Sequence, residues 1–175
     1  MSHIFANDAR SFTFVDDNGD EHVIRFEDIP HYLTVQLLEE NWRTYKYLIS
    51  VYTEYRNLNN ITEEKIQRKL NDTSQYKPWY STHIQSLSYL VGEQVEKVCQ
   101  KKIQSQGTWY GRNTSIPDQE ACEIMDLMIQ NGAKIDIPNY YDETILQSFA
   151  RKGSLNERTN NEKFHSKLKE HFSKL

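Results

Sequence analysis

Cysteine, glycine and proline are all scarce in this 175-residue chain, which holds two, six and four of them. Two cysteines cannot make a disulfide framework, so the fold has to rest on its core, and a reducing, cytoplasmic setting is expected. Glycine and proline together amount to about 6% of the chain, half the usual roughly 12%, which disfavours a turn-rich β fold and favours long helices. Apolar runs last only a few residues, far from the roughly 20 needed to cross a bilayer, so no membrane insertion is expected. Met1 to Asp8 offers no basic head leading into an apolar stretch, so no signal peptide is expected either. Charge of one sign is also missing. With 21 basic residues against 25 acidic ones, nothing predicts a general attraction to nucleic acid.

Motifs of catalysis are missing as well. No Walker loop, HExxH, GxSxG or paired CxxC occurs. The histidines at 3, 22, 31, 83, 165 and 171 are dispersed, and no two share metal-ligand spacing with a third ligand nearby. Neither metal nor cofactor is expected. Cys122 lies near the start of a predicted helix, where the dipole would lower its pKa, but beside Ala121 it reads first as a small buried residue. Cys99 sits on an apolar stripe. A thiol-dependent enzyme using Cys122 or Cys99 is the alternative reading. The cations Lys97, Lys101 and Lys102 suit the C-terminal end of a helix and read as a solvated face rather than a nucleic-acid site.

What the chain does have is aromatic area: eleven tyrosines and three tryptophans at a mean hydropathy of -0.80. Tyr and Trp carry apolar surface with a polar tip, so they serve as core or as contact surface. At the N-terminus, Ser11 to Val15 and Glu21 to Phe26 flank Asp17-Asn18-Gly19 and predict a β-hairpin. A type I turn with Gly19 in a left-handed bulge sets Phe12 opposite Ile24 and Phe14 opposite His22. That register gathers Phe12, Phe14, Ile24 and Phe26 on one face, which favours it over a two-residue turn.

Helical periodicity then takes over. Leu33, Leu37, Leu38, Trp42, Tyr45, Leu48, Ile49, Tyr52 and Tyr55 recur at threes and fours, predicting one long helix or two with a joint near Asn41. A short helix capped by Thr62 should carry Ile66 and Leu70. Ser81 should open a long helix with Ile84, Leu87, Val91, Val95, Val98, Cys99 and Ile103 on one side, stopped by Gly107. Ser115 and Pro117 signal the next helix start.

The stretch from Glu123 to Gly153 has its own grammar. Ile124, Leu127 and Met128 give a helix one apolar face, and Gly132 supplies a left-handed stop followed by small Ala133. Ile135 and Ile137 alternate across Asp136. Thr144 then opens a second helix with Leu146, Phe149 and Ala150 facing inward, closed by Gly153. This resembles ankyrin repeats: the outer helix of one repeat, the connecting loop, and the inner helix of the next. Departures from that pattern are Asp142 and Glu143 where the turn carries glycine, and Ile145 and Gln147 where proline and histidine follow the threonine. One frame upstream, Gly111 and Pro117 spoil the expected inner helix. A solenoid needs about three repeats to stand alone, so this unit should lean on the preceding helices.

The fold expected is therefore mainly α, with an N-terminal hairpin, long amphipathic helices and an ankyrin-like helix-loop-helix unit at the C-terminal end. Residues 1–110 form the body and 111–175 the unit packed on it. The resemblance implies a non-catalytic protein-binding module, an adaptor, inhibitor or regulator. Carried onto this chain, its contact positions are Asn139, Tyr140, Tyr141 and Asp142 at the loop tip, then Gln147 and Arg151 on the inner helix. The loop pair Trp109-Tyr110 is a further candidate. A helical body joined to a degenerate ankyrin unit looks like an effector of an intracellular bacterium or a viral host-interaction protein, which would place it in the host cytosol.

Overall fold

The computed structural model describes residues 11–73, 81–91, 116–139, 141–152 and 161–175, with the side chains of 89, 90 and 149–152 outside that description. The protein is mainly helical, with one two-stranded antiparallel hairpin at its N-terminal end. The hairpin joins β1 (Ser11–Val15) to β2 (Glu21–Arg25), and Phe26–Asp28 forms a 3-10 turn. Seven α-helices follow among the described residues: α1 (Ile29–Leu38), α2 (Trp42–Leu58), α3 (Glu64–Asn71), α4 (His83–Leu90), α5 (Asp118–Gln130), α6 (Ile145–Lys152) and α7 (Glu162–Ser173).

The hairpin adopts the register that alternation favours, with Phe12 opposite Ile24 and Phe14 opposite His22. Gly19 takes φ +86°, and a Cβ there would meet nothing within 4 Å, so the turn needs glycine for its conformation rather than for space. Asp16 organises that turn. Its Oδ1 accepts from the N–H groups of Asn18 and Asp20, both at 2.9 Å, and its Oδ2 meets His22 Nε2 at 2.7 Å. The bond from His22 holds the Asp16 carboxyl below its ordinary pKa. The inner face of the hairpin continues as a ring stack, Phe12 on Phe26 at 4.7 Å and Phe26 on Tyr55 at 5.0 Å between centroids.

The periodic stripe resolves into two helices. Glu39 to Asn41 forms the joint, and Glu40 sits at φ +60°. Leu33 and Leu37 of α1 and Trp42, Tyr45, Leu48, Ile49 and Tyr52 of α2 are buried. Leu38 is not. It is 55% exposed, because it is the last residue before the joint, where α1 stops and the chain turns. Each fully buried ring or branched chain in this core contributes about 2 kcal/mol through area removed from water. The start of α2 is closed from a distance: Asp17 on the hairpin turn accepts from both the N–H (2.9 Å) and the hydroxyl of Thr44, the third residue of the helix.

Three helix boundaries differ from expectation. α3 begins at Glu64 with no side-chain cap, so Thr62 does not serve as one. The cap of α4 is Thr82 rather than Ser81. α4 also ends at Leu90, since Val91 is extended and bridges in parallel to Ile116. Val91 is β-branched and is followed by Gly92, two poor helix residues in a row. The expected continuation through Val95 to Ile103 lies outside the described residues. α5 begins at Asp118 with Pro117 at its N-cap and no side-chain bond there. Core residues from every described element form one cluster, and α5 packs against both α2 and α7.

Candidate functional site

Two helix starts share one sequence grammar: Thr82-His83-Ile84-Gln85-Ser86 at α4 and Thr144-Ile145-Leu146-Gln147-Ser148 at α6. Each makes the same reciprocal cap. The Gln85 N–H donates to Thr82 Oγ1 at 3.3 Å and Gln85 Oε1 accepts from the Thr82 N–H at 2.8 Å. Gln147 and Thr144 repeat both bonds at 3.3 and 2.8 Å. A capping box of this kind satisfies two orphan N–H groups at once. Both helices are eight residues long. The threonine at 144 is legible as a cap from its sequence, and its twin at 82 carries the same Thr-x-x-Gln signal 62 positions upstream, beside a serine at 81 that competes with it as a helix start.

The loop between α5 and α6 is fixed at three places. At its start, Gly132 takes φ +91° and closes α5 by two bonds, Ala133 N–H to Met128 O and Gly132 N–H to Ile129 O, both 3.0 Å. That is the double bond of a left-handed helix stop. A Cβ on Gly132 would come within 2.8 Å of Gln67 Cγ, so space as well as φ requires glycine. Asn131, fully buried, donates to Thr53 Oγ1 at 2.8 Å and accepts from Arg56 Nε at 3.2 Å. Asn71, the last residue of α3, then clasps the loop backbone: its Nδ2 donates to Gly132 O at 3.0 Å and its Oδ1 accepts from the Lys134 N–H at 2.9 Å. Further along, Gln85 Nε2 donates to the carbonyl of Ile137. Ile135 is buried, Asp136 exposed and Ile137 half-buried, the expected alternation.

At the tip the chain reverses over Asn139 to Glu143. The Asn139 N–H donates to Glu143 O at 2.8 Å, and the Asp142 N–H to Asn139 O at 2.9 Å. Asn139 Oδ1 accepts from the N–H groups of Tyr141 and Glu143 at 2.8 and 3.1 Å. Asp142 lies at φ +60°, the left-handed region that aspartate tolerates better than most side chains.

The nominated contact residues are distributed as follows. Asn139 is half-buried and spends its side chain on the turn, whereas Tyr141 and Asp142 point outward, Tyr141 being 62% exposed. Gln147 is exposed, but its carbonyl oxygen belongs to the cap. Tyr140, Trp109 and Tyr110 lie outside the described residues, as do Cys99 and the side chain of Arg151. On α6, Leu146 packs partly buried against the core as expected, Ile145 and Ser148 are buried as well, and Phe149 and Ala150 lie outside the described side chains.

Chemistry elsewhere is sparse. Cys122 is buried on α5, and its burial, with Asp118 and Asp126 nearby, pushes the thiol pKa up rather than down. The helix-dipole effect anticipated for it is overruled by desolvation. Asp126 beside it pairs with Lys167 of α7 at 2.8 Å. Asp118 caps α7 remotely, accepting from the N–H groups of Lys163 and Phe164, both at 2.8 Å. Among the described residues no cluster of three or more His, Cys, Asp and Glu side chains could hold a metal ion, and no helix is long and apolar enough to cross a membrane. Compared with protein-family models, with curated proteins and with solved structures, the chain matches none.

Proposed function

We propose that the chain is a non-catalytic protein-binding module in which α4–α5 and α6–α7 act as two successive ankyrin-like units, leaning on the hairpin and α1–α3. The observation that carries this reading is the loop between α5 and α6. Its backbone is tied by Asn71, Gln85 and its own Asn139, yet it turns Tyr141 and Asp142 to solvent. A loop held by the core while offering an aromatic side chain is pre-organised for a partner, because the ordering cost of binding is already met in folding. Tyrosine supplies much contact area at low entropy cost.

Two further observations support the repeat reading. The paired Thr-x-x-Gln boxes open α4 and α6 in the same way, and Gln85 reaches from the first unit to the loop of the second. α5 packs on α7 as adjacent outer helices would. The burial of Cys122 counts against a thiol enzyme using that residue, since a protonated buried thiol is a poor nucleophile. An adaptor, inhibitor or regulator acting in a host cell fits the module equally in each case.

Affinity capture with the intact chain tests the surface. Tyr140→Ala/Tyr141→Ala should lose a partner that the native chain recovers, with an unchanged thermal melt. An identical partner set from a folded double variant would show that this loop is not the contact surface.

A further inference from the structure

We propose that the junction of His83 with Tyr45 and Thr34 is an acid-sensitive latch, and that protonating His83 frees α4, and with it the loop held by Gln85, from the helical body. This device is independent of what the loop binds. His83 is the first residue of α4 and is 0% exposed. Its Nδ1 lies 2.7 Å from Tyr45 Oη on α2, and its Nε2 lies 3.5 Å from Thr34 Oγ1 on α1. Two hydroxyls facing the two ring nitrogens suit a neutral imidazole, which donates from one nitrogen and accepts at the other. The ring also stands at the N-terminal end of a helix, where the dipole opposes a positive charge.

Among the described residues, groups that act on the ring come from α1, α2 and the α3 end, and α5 packs alongside α4. α1 presents Thr34 and α2 presents Tyr45. From α3, Lys69 opposes the imidazolium, while Asp72 just past its end favours it. α5, which also packs on α4, turns Ala121, Ile124, Met125 and Met128 into the core, with Cys122 the titratable member of that face. Desolvation dominates this set and lowers the His83 pKa to about 3. In α6 the corresponding position holds Ile145, buried and without charge chemistry. The first unit therefore carries a proton-sensitive residue where the second carries a purely apolar one.

The direction follows from linkage. The unfolded imidazole takes a proton near pH 6.5, whereas the folded one does so only near pH 3. The stabilisation is complete above pH 6.5 and drains away as pH falls toward 3, at roughly tenfold in the folding constant per unit. Between pH 7 and 5 the junction alone should weaken folding about thirtyfold.

Three readouts on the intact chain decide the matter. The His83 ring resonance should stay fixed between pH 7.5 and 5, where an exposed imidazole titrates. The native chain should lose about thirtyfold more folding constant from pH 7 to 5 than His83→Gln, which keeps a donor and an acceptor without a titrating ring. Hydrogen exchange, corrected for its intrinsic pH dependence, should rise in α4 and residues 131–139 before it rises in α2. A His83 ring that titrates near pH 6.5 in the folded protein, parallel pH profiles for the two proteins, or simultaneous loss of protection throughout would each overturn the latch. If His83→Gln does not fold, the ring titration and the order of exchange in the native chain decide alone.

Discussion

The starts of α4 and α6 are the same device in two environments. Thr82 and Gln85 are buried, while Thr144 is half-buried and Gln147 is exposed. The bond lengths of the two caps agree, so local sequence alone sets their geometry. What differs is the consequence of breaking them. At α6 water can replace a lost partner, whereas at α4 each orphaned group stays dry, and an unsatisfied buried group costs more than the bond was worth. A cap that is optional at the surface becomes a structural joint in the core.

The sharpest test of that contrast removes Gln85. Gln85→Leu deprives the Thr82 N–H and the Ile137 carbonyl of partners together, and should destabilise the protein by about 3 kcal/mol in a urea titration. Next in size comes the threonine pair. Thr82→Ala should cost about 2 kcal/mol and Thr144→Ala only about 1, and equal losses would break the comparison. Gly132→Ala places a methyl group against Gln67 at a left-handed position and should cost about 1–2 kcal/mol. Adding Gln67→Ala should recover only the part due to crowding, which separates space from conformation. The smallest effect belongs to Asp142→Gly. Relief of the left-handed strain and the greater freedom of the unfolded chain oppose one another, so stability should move by less than about 0.5 kcal/mol.

Much of this was readable in the residues, and the reasons are local. Phe12, Phe14 and Ile24 alternate, so the hairpin register followed from pattern and the Gly19 bulge. Gly132 and Thr144 announce a helix stop and a helix start through chemistry confined to a few neighbours. The loop that displays Tyr141 was located for the same reason. The clasps that hold it were not. Asn71 reaches Lys134 and Gln85 reaches Ile137 across more than fifty residues, and a polar side chain spent on a remote backbone leaves no periodicity to detect. Leu38 misled because it kept helical spacing across a joint that turns the chain. Cys122 misled because its helix position pointed one way and its burial, legible only in three dimensions, outweighed it.

The remote aspartate caps carry a consequence for the order of assembly. Asp17 closes the start of α2 at Thr44, and Asp118 closes the start of α7 at Lys163 and Phe164. Asn71 and Gln85 likewise clasp backbone that follows them. In all four the side chain is synthesised first and the backbone it receives comes later. A chain emerging from its N-terminal end thus meets a waiting acceptor or donor at each of these joints, already in place when the later backbone arrives. Such an arrangement suits vectorial folding, in which each new helix docks on finished structure and the exposed intermediates that invite aggregation are short-lived.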